Sequence, residues 1–163
     1  MKYNLVKASI YLFILCTLHL FLSINALVGG SLLMIQPNGQ LLGMHTDWLL
    51  GSPFKSYLIP GILLFSLIGL QSLVCFIGLI YQPHWKWTQA LNLYSDRHWS
   101  WTFSVYSGVI CISWIIIQQI MTRYFWIQSL ILSIGLLILI FTIHPKIMNR
   151  YRVIEKSKNK SYD

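Results

Sequence analysis

The chain reads as an all-α membrane protein, a bundle of four membrane-spanning helices with a structured extracytoplasmic cap between helices one and two. Three observations predict this. Of the 163 residues, 56% are apolar and only 10% charged, and the mean hydropathy is +0.62, a balance suited to lipid rather than to a water-soluble core. Four stretches, about 8–28, 57–81, 101–121 and 125–144, reach the roughly 20 apolar residues that a spanning helix needs. Apart from boundary positions, none of them holds Asp, Glu, Lys or Arg.

Helix one follows Lys2 and Lys7. Its apolar part exceeds a signal-peptide h-region of about 7–15 residues, and "SINALVGG" is only a partial cleavage pattern, so the helix is expected to be retained. Cys16, His19, Ser23 and Ala26 recur at helical spacing and share one face.

The cap, 29–56, is rich in turns. Gln36-Pro37-Asn38-Gly39 is strong turn chemistry, because Asn and Gly tolerate positive φ, and it leaves room for a short β-hairpin. Thr46 or Asp47 is placed to cap a helical turn through "DWLL" that Gly51 ends, with Pro53 blocking continuation. Trp48, Phe54 and the leucines between 32 and 50 are too apolar for a solvated linker. They suit a structured cap resting on the bundle or in the headgroup region, with a lid over an outward-opening cavity as the functional alternative.

Helix two begins at about Tyr57, and Pro60 lies within its first turn or so, where a missing amide hydrogen costs least. The inner loop, 82–100, leads into helix three and carries Trp85, Trp87, Tyr94 and Trp99, with Trp101 just beyond, rings suited to anchoring at a membrane interface. Ser107, Cys111, Trp114 and Gln118 share a face of helix three, and Ser129 and Ser133 offer a small-residue packing pair in helix four.

Domain organisation is then a four-helix transmembrane domain, 1–145, and a basic tail, 146–163. Lys2, Lys7, Lys86, Arg97 and the tail cations collect on one side, against Lys55 and Arg123 on the other. The positive-inside rule puts both termini in the cytoplasm of a multi-pass plasma (inner) membrane protein. Most of the net charge of +8 sits in the tail, where it attracts anionic lipid headgroups at about 1 kcal/mol per residue. No nucleic-acid partner is expected.

Chemistry is sparse. The acids are Asp47, Asp96, Glu155 and Asp163, all outside the spans, so general acid–base catalysis and a serine triad lack an orienting carboxylate. Ion-coupled transport usually leaves charges inside the membrane, and the lone span histidine with scattered thiols lacks the spacing of a metal site. No catalytic residue, metal or cofactor is assigned. Depth along the helices allows a polar pocket under the cap formed by His19, Trp114 and Gln118.

The stretches "PNGQLLGM", "GSPFKSYLIPG", "HWSWTFSVYSG", "SWIIIQQ" and "WIQ" resemble small bacterial four-helix integral membrane proteins, loosely DoxX-like. The resemblance spans roughly 25–140. It implies the architecture and little chemistry, because such proteins mostly carry no assigned activity. Sterol-isomerase-like four-helix enzymes differ in their intramembrane acids, which have no counterpart here. The expected function is a non-enzymatic module that binds a lipid, a quinone or a partner membrane protein through the outer half of the bundle. The alternatives are a small membrane enzyme or redox accessory using His19 and the nearby thiols, or a subunit of a transport assembly.

Overall fold

The computed structural model describes residues 2–153, with side chains from Ile10 onward. The tail residues Glu155, Lys156, Lys158, Lys160 and Asp163 lie outside the described residues. The elements are α1 (Lys2–Ile35), two short 3₁₀ helices (Gln40–Leu42 and Thr46–Leu49), α2 (Leu58–Leu63), a π-helical segment (Leu64–Leu70), α3 (Gln71–Tyr81), α4 (Lys86–Ala90), α5 (Trp99–Met121), α6 (Trp126–Ile143) and α7 (Pro145–Arg150). Four stretches are long and apolar enough to cross a membrane: Ile10–Ile35, Leu58–Tyr81, Trp99–Met121 and Trp126–Ile143. They are compatible with a multi-pass membrane protein. Each helix packs on two others in a closed ring, α1 on α2 and α3, α3 on α5, α5 on α6, and α6 on α1.

Helix α1 continues to Ile35, past the boundary expected at residue 28. Its glycine pair does not stop it because the second glycine is packed: a Cβ on Gly30 would lie 2.8 Å from the Gly61 carbonyl and from the Phe65 backbone. Small residues there let α1 and α2 approach backbone to backbone, as membrane helices do when packing rather than the hydrophobic effect holds them together.

The second span is not uniformly α-helical. Over Leu64–Leu70 it widens to a π-helix, which the apolar pattern did not reveal. The widened turn lies against α1, where the Ser23 hydroxyl donates to the Gly69 carbonyl at 3.0 Å. A wound-out turn of this kind is uncommon and recurs beside functional sites.

The connector 36–57 forms 3₁₀ turns where a hairpin was expected, and there is no strand among the described residues of the connector. The residues before the Pro37 turn are already committed to α1, so they are not available as a strand. After it, Gly39 at φ +83° and Gly43 at φ +64° curl the chain tightly. Thr46–Leu49 is likewise 3₁₀, with His45 at its N-cap position and no side-chain cap from Thr46 or Asp47. Tyr57 ties the connector down: its amide donates to the Pro37 carbonyl at 2.8 Å and its hydroxyl to the His45 carbonyl at 2.8 Å. Leu33, Leu49 and Tyr57 form a small buried cluster there.

Two further expectations change. Trp99 is fully buried and Trp101 nearly so, within the core rather than at an interface, whereas Trp87 and Tyr94 are exposed. Ser129 and Ser133 of α6 face outward. The packed face is instead Ile134, Gly135, Ile138 and Thr142.

The start of the basic tail is part of the fold. Pro145 at the first turn of α7 and the ring of His144, whose Nδ1 accepts the Lys146 amide at 3.3 Å, restart the helix. Ile147 and Tyr151 are then buried in the core. The Tyr151 hydroxyl donates to the Leu79 carbonyl at 2.6 Å, satisfying one of the carbonyls that a helix C-terminus leaves unpaired. Its own carbonyl accepts the His98 amide at 2.7 Å.

Candidate functional site

Two features carry polar chemistry, a buried network at the centre of the ring and a cavity at the end bearing the connector.

The network joins all four spanning helices. His19 of α1 is completely buried, and its Nε2 lies 2.9 Å from the Ser104 hydroxyl of α5. Ser104 lies 2.6 Å from the Thr142 hydroxyl of α6, and Thr142 donates to its own helix at the Ile138 carbonyl, 2.6 Å away. The single proton of Thr142 is thereby used, so Ser104 donates to Thr142 and His19 Nε2–H donates to Ser104. Cys75 of α3 completes the group, 3.5 Å from the same Nε2 and 3.5 Å from the Ser100 carbonyl, to which its thiol donates.

This direction of donation has a chemical consequence. His19 turns an N–H, not a lone pair, toward the Cys75 sulfur, and therefore does not act as a base on that thiol. Its lone pair is on Nδ1, which has no hydrogen-bond partner among the described residues. The thiols of Cys16, Cys75 and Cys111 are buried and free, and no cluster of metal-binding side chains occurs among the described residues. Interhelical hydrogen bonding of this type is worth about 0.6 kcal/mol on average in a membrane. Ser104 and Thr142 were missed in the sequence because a hydroxyl in a spanning helix so commonly bonds its own backbone; only the partner helix reveals the link.

The cavity has a volume of about 550 Å³, within the range of about 300–1,000 Å³ usual for small-molecule sites. Trp48 and Phe54 of the connector face Trp114 and Gln118 of α5 across it, and Leu22 and Ala26 supply the α1 wall. Sequence reasoning had placed His19 with Trp114 and Gln118. His19 is one turn of α1 below the cavity and belongs to the network instead, while Leu22 and Ala26 take the wall. Pro37, Asn38, Gly39 and Pro53 shape the connector without lining the cavity: the Asn38 side chain accepts the Gln40 amide at 3.1 Å, and Gly39 sits where a Cβ would meet the Tyr57 ring at 2.9 Å.

The wall is graded. Leu22, Ile68 and Ile115, at the deep end, are buried and apolar. Toward the rim stand Gln118, Thr122 and Arg123. Thr122 donates to the Gln118 carbonyl at 2.8 Å, and the buried Gln128 accepts the Phe125 amide at 3.2 Å, closing the turn between α5 and α6. Tyr57, also in the wall, has its pKa raised by burial, which keeps the phenol neutral and a donor. Trp114 Nε1 has no partner among the described residues.

At the opposite end the helices are closed by rings. Trp85 stacks on Trp99 at 5.3 Å between centroids, and Trp99 meets Phe103 edge-on at 5.1 Å. The Trp99 indole donates to the Pro83 carbonyl at 2.7 Å, and that of Trp101 to the Thr142 carbonyl at 2.8 Å. Burial, reinforced by neighbouring His84, pushes the His98 pKa below its ordinary value.

Comparison with family models, with curated proteins and with solved structures found no match, and nothing in it identifies a DoxX-like family.

Proposed function

We propose that this chain is a non-enzymatic membrane module that holds a lipid-like or quinone-like molecule in the cavity beneath the 36–57 connector. One observation carries the reading: a cavity of ligand size, walled by the connector and the spanning helices together, brings Trp48, Phe54, Trp114 and Gln118 around one volume. Such sites are mostly apolar with a few placed polar groups, and this wall has that composition. In the orientation set by the cations, with both termini cytoplasmic, the cavity lies in the outer leaflet of a bacterial plasma membrane and the connector is its extracytoplasmic cap. The cation-rich stretch beyond α7 rests on anionic headgroups of the inner leaflet.

The donor order of the His19 network gives Cys75 no lone pair from the imidazole, so a redox role that uses His19 as base to that thiol finds no support in it. The test is mass spectrometry of small molecules that co-purify in mild detergent. The natural protein is compared with Gln118→Leu and with a chain whose 36–54 segment is a flexible linker. A lipid or quinone retained by the natural protein and lost from both variants is the expected result. Equal retention by all three folded proteins, or none by any, overturns the proposal.

A further inference from the structure

We infer that the molecule held in this cavity is a single-chain amphiphile with an anionic head, a carboxylate or a phosphate, paired with Arg123 while its hydrocarbon runs down toward Leu22, Ile68 and Ile115. This rests on the cavity-binding reading above and adds the charge, the chain number and the orientation.

Charge comes first. Arg123 is the only charged side chain in the cavity wall among the described residues. It has no carboxylate partner there, since the one ion pair among the described residues is Arg97 with Asp96, at the other end of the bundle. Asp47, in the adjoining 3₁₀ helix, neither lines the cavity nor pairs with it. A guanidinium presents a planar fork of donors that fits a carboxylate or phosphate better than any neutral head. Beside it the Gln118 amide adds a donor, while the Thr122 hydroxyl, whose proton is given to the Gln118 carbonyl, adds no negative charge to compete.

Orientation follows from the gradient of the wall. Arg123 is exposed at the turn between α5 and α6, where a charged head keeps contact with water. Ile115 lies six residues before the end of α5, which at 1.5 Å per residue is about 9 Å deeper. Leu22, Ile68 and Ile115 there are hydrocarbon and Trp114 offers the one polar atom, its indole N–H, so the deep end suits a chain rather than a second charged head. The volume of about 550 Å³ accommodates one chain and its head, whereas a two-chain phospholipid is larger.

The full chain in a neutral detergent is titrated with dibromostearate, with a dibrominated alkyl phosphate and with the uncharged methyl ester of dibromostearate. Quenching of tryptophan fluorescence is read out, since Trp48 and Trp114 stand in the wall. The saturable component is expected to have a half-point about tenfold lower for the two acids than for the ester, a ratio typical of one charge-assisted hydrogen-bonded pair. Arg123→Gln should bring the three probes to within about twofold of one another. Ala26→Phe, which fills the α1 wall, should abolish the component for all three. Equal saturable binding of acid and ester, unchanged by Arg123→Gln and removed by Ala26→Phe, overturns the anionic head but leaves the cavity reading standing. Displacement of the probes by inorganic phosphate alone overturns the requirement for a chain. No saturable quenching by any probe, in a protein folded by circular dichroism, overturns both readings.

Discussion

The two ends of this bundle are made from the same apolar alphabet and are closed in opposite ways. Around Trp99 and Tyr151 the space between the helices is filled by stacked and edge-on rings, and the polar tips of Trp99 and Tyr151 are bonded to carbonyls. Around Trp48 and Trp114 the rings stand apart across about 550 Å³. Aromatic content therefore does not decide which end is solid. The ends differ in how their core rings are tied: Trp99, Trp101 and Tyr151 each reach a backbone carbonyl between the helices, and Trp114 does not. An indole or phenol with such a partner is fixed at both edge and face, and its neighbours can pack against a stationary surface.

Truncation should separate the ends most sharply. Trp99→Ala is expected to cost about 3–5 kcal/mol, the usual range for emptying a fully buried aromatic site, read from unfolding in mixed micelles of increasing denaturing-detergent fraction. Phe54→Ala, at the half-buried wall of the cavity, should cost less than about 1 kcal/mol by the same measurement. Equal losses would mean that the cavity end is as solidly packed as the other.

A smaller contrast comes from removing one hydroxyl at each end. Tyr151→Phe leaves the Leu79 carbonyl without its donor in the core and should cost about 1–3 kcal/mol. Tyr57→Phe releases the His45 carbonyl in a connector that is largely exposed, so water replaces the bond and the cost should stay near 0.5 kcal/mol. In the second variant, hydrogen exchange of the amides between 44 and 50 should quicken more than global stability falls.

The smallest effect is set by pH. The folded pKa of His98 lies below its ordinary value of 6.5, so the unfolded chain binds the proton more readily. Stability is then fully present above about 6.5 and is lost as pH falls from there through the folded value. His98→Asn keeps a side-chain acceptor for the Ser100 amide but does not titrate. Unfolding measured from about pH 7.5 down to about pH 5 should lose part of its acid sensitivity in this variant. An unchanged profile would assign that sensitivity to other groups.

The spanning helices were legible in the sequence because lipid imposes one condition, unbroken apolarity over a fixed length, and four stretches meet it. So was the buried face of α1, because Cys16, His19, Ser23 and Ala26 stand at helical spacing. Trp114 and Gln118 were read from their shared face on helix three and their depth, and both stand in the cavity wall. His19, read into the same pocket, lies one turn of α1 below the wall that Leu22 and Ala26 supply, and the Ser104 and Thr142 hydroxyls of the network that holds it there are two ordinary residues among many. The docking of Tyr151 was hidden by its neighbours: Lys146, Arg150 and Arg152 read as a solvated run, yet Ile147 and Tyr151 between them are buried. The π-helical turn left no mark, since one additional residue per turn changes neither composition nor length.

The His19 network also orders events in time. Its donors and acceptors are spread from α1 to α6, with Ser104 85 residues after His19 and Thr142 a further 38 residues on. A ribosome reading the chain from its start delivers the imidazole long before either hydroxyl exists. Until then the polar ring on the first helix has neither of these hydroxyl partners. The fifth helix brings the Ser104 hydroxyl to the ring and α6 then supplies Thr142 as acceptor for Ser104, so the group of side chains is complete only when helices made far apart in time have met.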